Sequence, residues 1–180
     1  MTLLEVKKKV LQLIEEIDDT QPSLTNDPDI EKKLNTVINS IQFELARMKK
    51  ISTYTTEDVT ADEPFDMNTL PDFYQLQLLR CNSNYEIVGN MVIFSEDGEA
   101  TFYYYKYPEA ITEDTPDDYE FELSQDALEI LPYGVAGDLL KSDVSTEYGA
   151  IYSTRYETML QRLDPRYSMS SVYVEGGIDV

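Results

Sequence analysis

The sequence predicts an α+β fold: an N-terminal helical hairpin, an antiparallel β-meander, a C-terminal helical hairpin and an extended C-terminal tail. Three observations carry this. Apolar residues recur every three or four positions at both ends of the chain. The middle is rich in Thr, Tyr and β-branched residues with a period of two. Acidic charge is concentrated after residue 50, where the composition changes.

At 180 residues the chain fits one domain, long enough to bury roughly 70% of its unfolded surface. The predicted domain spans 1–167, with 168–180 an arm. Thr2 followed by Glu5 has capping-box spacing, so a first helix is expected over 2–18. Its buried stripe is Leu3, Val6, Val10, Leu13, Ile14 and Ile17. Asp27-Pro28 starts a second helix, since a first-turn proline loses no intrahelical hydrogen bond. That helix runs over 28–50, with Ile30, Leu34, Val37, Ile38, Ile41, Leu45 and Met48 inward and two lysines at its negative end.

Strands are expected within 51–123. Ile51 to Thr56 reads as the first, followed by a polar loop over 57–69. Phe73 to Arg80 alternates, with Tyr74, Leu76 and Leu78 on one side. Tyr85 to Val88 and Met91 to Phe94 flank Gly89-Asn90, a two-residue hairpin turn. Asp97-Gly98 turns into Ala100 to Tyr107, where Phe102 and Tyr104 oppose Tyr103 and Tyr105. Tyr119 to Leu123 adds a last strand. Between them lie Glu113, Asp114, Asp117 and Asp118, which lack EF-hand spacing and its glycine, so a solvated loop outweighs a calcium site.

Helices follow over 124–141 and 143–163, with Pro132 kinking or restarting the first. Gly134 and Gly137 lower helix propensity by about 1 kcal/mol each, which predicts close approach of a neighbouring backbone. The second helix carries Val144, Tyr148, Ile151, Tyr152, Tyr156, Met159, Leu160 and Leu163 in one stripe. The pair should pack on the sheet as an antiparallel hairpin. Val144, Ile151, Met159, Leu160 and Leu163 are assigned to the core. Tyr148, Tyr152 and Tyr156 beside Arg155 exceed what a core needs, and tyrosine and arginine are types that interfaces favour. In the arm, Val172, Tyr173 and Val174, with Ile178 beyond the flexible joint Gly176-Gly177, favour extended structure, and the arm is expected either to stay disordered or to add as a strand to a neighbouring subunit.

Net charge is −21, with 14 basic and 35 acidic side chains. Residues 1–50 hold 8 basic and 9 acidic groups, so nearly the whole excess lies in the body that follows. Such a surface repels phosphate backbones. Histidine is absent, which removes the commonest general base and zinc ligand and every Ser-His or Cys-His pair. The single cysteine, Cys81, is expected to be a reduced core residue. No catalytic residues, metal or cofactor are expected, and the chain reads as a non-enzyme made in the cytoplasm without a membrane segment. Paired carboxylates of a glycosidase kind have no marked pocket behind them.

The order of elements, and above all LPYGVAGDLLKSD followed by YGAIYSTRYETMLQRLDPRY, resembles phage and prophage head-tail connector proteins of the adaptor type. The matching positions are Pro132 and Ala136 opening one helix, then Asp138, Leu139 and Leu140 within it. Asp143 precedes the next helix, which carries Tyr148, Tyr152, Tyr156 and Leu160. The resemblance implies a structural virion protein in the neck, a ring that is commonly twelve-fold. It would bind the portal protein on one side and tail or tail-completion proteins on the other, while genome DNA passes through without sequence-specific binding. Mutual repulsion of acidic copies implies a monomer in isolation. The alternative, resting on charge alone, is an acidic DNA-mimic protein that captures a host DNA-binding protein.

Overall fold

The computed structural model of the chain describes residues 1–142 and 147–163. In chain order these form α1 (Leu3–Leu13), α2 (Pro28–Met48), β1 (Ile51–Val59), β2 (Pro64–Asp66), β3 (Phe73–Cys81), β4 (Tyr85–Val88), β5 (Met91–Phe94), β6 (Gly98–Lys106), α3 (Gln125–Leu139) and α4 (Tyr148–Leu163). The fold is α+β, with one hydrophobic core among the helices and a second inside the strands.

Both helix starts form as their sequences dictate. The Thr2 hydroxyl accepts from the Glu5 amide at 3.3 Å, and Glu5 accepts from the Thr2 amide at 2.9 Å. Asp27 accepts from the amides of Asp29 and Ile30 at 2.8 and 3.3 Å, ahead of Pro28. α1 ends at Leu13, short of the expected residue 18, because Glu15 turns into the left-handed region at φ 61°. Asp18 then holds the loop, accepting from the Thr20 amide and hydroxyl and from Asn26. These hydrogen bonds, led by the Thr20 hydroxyl, keep its carboxyl below the ordinary value.

The strands are antiparallel and make two three-stranded sheets, ordered β1-β6-β3 and β2-β5-β4. β6 is the centre of the first, pairing β1 from Ile51↔Lys106 to Val59↔Gly98. Much of the polar stretch expected as a loop over 57–69 is strand, since β1 runs on to Val59 and β2 adds to β5. Thr, Glu and Asp side chains suit an edge strand, which charge protects from further pairing. Phe102 and Tyr104 point into the β core, as their alternation predicts. The β4–β5 hairpin forms at Gly89, whose φ of 62° the turn requires.

β3 departs from simple alternation. Register shifts lie between Phe73 and Gln75 and between Leu76 and Leu78. Each bulge inserts a residue and moves the next side chain to the other face. Leu79 is therefore buried at 6% exposure while Leu78 stands out at 45%. The expected strand over 119–123 is a single bridge, Thr2↔Glu120. That segment serves α1 instead: the carbonyls of Tyr119 and Asp117 accept from the amides of Leu3 and Leu4, both at 2.9 Å. Those first-turn amides have no partner inside the helix.

The C-terminal helices do not lie on the sheet. α3 packs on α1, α2 and α4, and its residues are apolar nearly all round, which is the composition of a buried helix. Pro132 opens nothing and sits within α3, buried. α2 joins the helical layer to the strands. Phe43 meets Tyr107 with ring centroids 5.9 Å apart, and the Lys50 ammonium lies 4.7 Å over the Tyr105 ring and bonds Gln75 at 2.7 Å. Farther back on α2, Gln42 donates to the Glu109 carbonyl and Asn39 accepts from the Ile111 amide.

Candidate functional site

The face that α4 turns toward α3 is set by small residues. A Cβ on Gly137 would come within 2.8 Å of the Ser153 hydroxyl and 3.0 Å of its amide nitrogen. One on Gly134 would meet the Tyr156 ring at 2.7 Å, and one on Gly149 the Leu140 carbonyl at 2.9 Å. Contacts that climb α4 while descending α3 mean the two helices run antiparallel. The close approach predicted from Gly134 and Gly137 is present, and it fixes how α4 is rotated.

That rotation sorts the predicted residues. With Gly149, Ser153, Tyr156 and Leu163 inward, Ile151 falls on the far side and is 54% exposed, contrary to its assignment to the core. Met159 and Leu160 are partly buried against the helical core and Leu163 is buried. Val144 lies outside the described residues.

The three tyrosines part company. Tyr148, 54% exposed, stands beside a depression formed with Ile14, Ile30, Leu139 and Leu140. Tyr152 is half-buried, and its hydroxyl donates to the Leu13 carbonyl at 2.6 Å, capping the end of α1. Tyr156, expected at an interface, is instead a core residue at 8% exposure. Its ring fills the space left by Gly134, and its hydroxyl points near the Glu44 carboxylate without reaching full hydrogen-bond geometry. Burial, then the nearby Glu44 carboxylate, pushes that phenol far above its ordinary value. Val172, Tyr173, Val174 and Ile178 lie outside the described residues.

Arg155 is held on the surface, its guanidinium carbon 4.2 Å over the Tyr133 ring of α3. Tyr133 also faces Tyr152 with centroids 6.5 Å apart. The outer face of α4 thus carries an open groove whose lining includes Ile151, Met159, Arg155 and Arg162, with the Glu147 carboxylate at one end and the Thr154 and Thr158 hydroxyls between. Two guanidiniums about two turns apart stand there on a strongly acidic body. Other cations of that body are engaged: Lys106 with Glu122, Lys141 with Asp138 at 3.8 Å, and Arg80 over Tyr103. Such a groove presents apolar area and guanidinium donors to solvent.

A second exposed surface was not singled out by sequence. Tyr85, Ile87, Val88 and Met91 are all exposed on the β4–β5 hairpin, with β4 at the edge of its sheet. The available signal was YEIVGNMV itself, in which neither face of the hairpin is consistently polar. Cys81 is partly buried against the β core, its Sγ 3.2 Å from the Ser83 carbonyl.

Among the described residues no group of three or more acidic or cysteine side chains is placed to hold a metal ion, and no helix is long and apolar enough to cross a membrane. No protein-family model and no curated protein matches the chain.

Proposed function

We propose that this chain is a structural connector subunit that assembles as a ring between the portal and the tail of a phage particle and leaves a passage for DNA. The observation that carries this is the outer face of α4. Tyr148, Ile151 and Arg155 are presented to solvent on a helix locked to α3 by glycine contacts and by the Tyr152 hydrogen bond. Rigid presentation of aromatic, apolar and arginine side chains lowers the ordering cost of an interface. The exposed β4–β5 hairpin, carried on the other core, gives a second contact surface for portal or tail. An acidic lumen would let DNA slide rather than bind.

Ring closure brings one face of each copy against a different face of the next. Replacing Tyr148 with Ala and Arg155 with Glu together should leave a folded monomer that no longer assembles on portal, read by circular dichroism and by co-sedimentation. Unchanged assembly by the folded double variant would remove α4 from the contact.

A further inference from the structure

We propose that the open edge of β4 takes up an extended protein segment in which apolar residues alternate with basic ones, adding it to the sheet as a further strand. The register of the β4–β5 hairpin shows which groups meet it. Val88 pairs with Met91 across the two-residue turn, and the Ser95 amide donates to the Asn84 carbonyl at 2.9 Å. Bonded pairs alternate along an antiparallel ladder, so Asn84, Glu86 and Val88 bond toward β5. Tyr85 and Ile87 therefore aim both amides and both carbonyls at the outer edge, where no backbone partner meets them among the described residues. Their side chains stand opposite Phe94 and Val92 and share the face of those two buried residues, yet both are exposed. The apolar layer of the strand core thus runs past its cover at β4. One added strand extends the ladder and the layer together.

The other sheet edges are protected. β1 carries Thr, Glu and Asp, β3 is bent by its two bulges, and β2 is three residues long and opens with Pro64. β4 has neither proline nor bulge, and its one charge is Glu86. That charge selects the partner. Glu86 projects from the face opposite to Tyr85 and Ile87, and the row that joins Val88 to Met91 continues to Asp66. Beside Tyr85 a depression gathers Glu96, Asp97 and Glu99 around Arg80, whose guanidinium lies over the Tyr103 ring. Over residues 51–106 ten acidic side chains stand against Arg80 and Lys106 alone, and Lys106 is paired with Glu122. A second copy fits poorly. Full overlap of two antiparallel β4 strands sets Glu86 against Glu86 of the second copy, and like charges directly opposite destabilise a ladder. A segment with Lys or Arg facing Glu86, and Val, Ile or Leu facing Tyr85 and Ile87, complements both faces of the edge. That this segment belongs to portal or tail rests on the connector reading; the uptake itself does not.

The test uses the isolated full-length chain with capped peptides, read by calorimetry and by amide hydrogen exchange at moderate salt. One peptide alternates Lys and Val, a second has Glu in place of Lys, and a third is the first with every Val N-methylated, which keeps side chains and charge and removes the donors that face β4. The Lys–Val peptide should bind and slow exchange of the Tyr85 and Ile87 amides. N-methylation should weaken binding about tenfold, the scale of two net hydrogen bonds, and the Glu peptide should not bind. Ile87→Pro removes one edge donor and leaves the β4–β5 ladder whole, because that amide does not bond β5. It should weaken the Lys–Val peptide by a similar factor. Equal binding of the N-methylated peptide would reduce the interaction to charge alone and overturn the proposal. Binding without protection at Tyr85 and Ile87, equal binding of the Glu peptide, or no binding would do the same. Protection of those amides that rises with protein concentration in the absence of peptide would assign the edge to a second copy and also overturn it. Portal takes no part in the experiment, so failure of strand uptake leaves the connector reading intact, and failure of the connector reading leaves uptake intact.

Discussion

Tyr156 shows how one residue reconciles burial with a polar tip. Its ring occupies the gap above Gly134, and its hydroxyl has only a weak contact with the Glu44 carboxylate. Tyr156→Phe removes only that oxygen and should be neutral or slightly stabilising. Tyr156→Ala should cost about 3–5 kcal/mol, and denaturant melts distinguish the two. Gly137→Ala forces a methyl toward the Ser153 backbone, so it should cost about 1–3 kcal/mol by overpacking. Stability unchanged by that methyl would mean the helices are farther apart than described. Buried phenols also set an alkaline limit. Burial, with Glu122 and Glu109 nearby, raises Tyr119 from 10.0 to about 12, and Tyr156 moves the same way. Above pH 10 the unfolded chain sheds these protons while the folded chain keeps them. Their contribution is therefore whole below pH 10 and is lost as pH climbs toward the folded values. Thermal melts should decline through that range, and Tyr119→Phe should decline less than the parent.

Helices and hairpins whose register depends on local chemistry were legible in sequence: Thr2 with Glu5, Asp27-Pro28 and Gly89-Asn90 all stand where their residues put them. Elements whose orientation depends on a distant partner were not. The large side chains of α4 suggest one stripe, whereas its rotation is set by Gly149 and Ser153, small residues that a hydrophobic pattern overlooks. For the same reason hydrophobicity alone points Ile151 inward and Tyr156 outward, the reverse of what packing gives. β3 misled through its bulges, which turn a spacing of two into three and leave Leu79, not Leu78, in the core. Leu79→Ala should cost about 2–4 kcal/mol, while Leu78→Ala should stay within about 0.5 kcal/mol. Urea titrations of the pair decide whether the bulge is where the register places it. α3 could be recognised as buried from its composition, yet nothing in the sequence said that helices, and not the sheet, would cover it.

At the scale of the molecule, two cores joined through α2 give an acidic body with exposed apolar side chains on each part. The helical part offers the α4 groove with its arginines, and the strand part offers an apolar hairpin. Copies charged at −21 repel one another over about 10 Å at moderate salt, so a ring should require a template and become easier as salt rises. The most direct measurement is sedimentation of the full chain alone and mixed with portal rings, at low and high salt. The connector account predicts a 20.7 kDa monomer by itself and a portal complex carrying several copies, enhanced by salt. No association with portal at any salt concentration would contradict it.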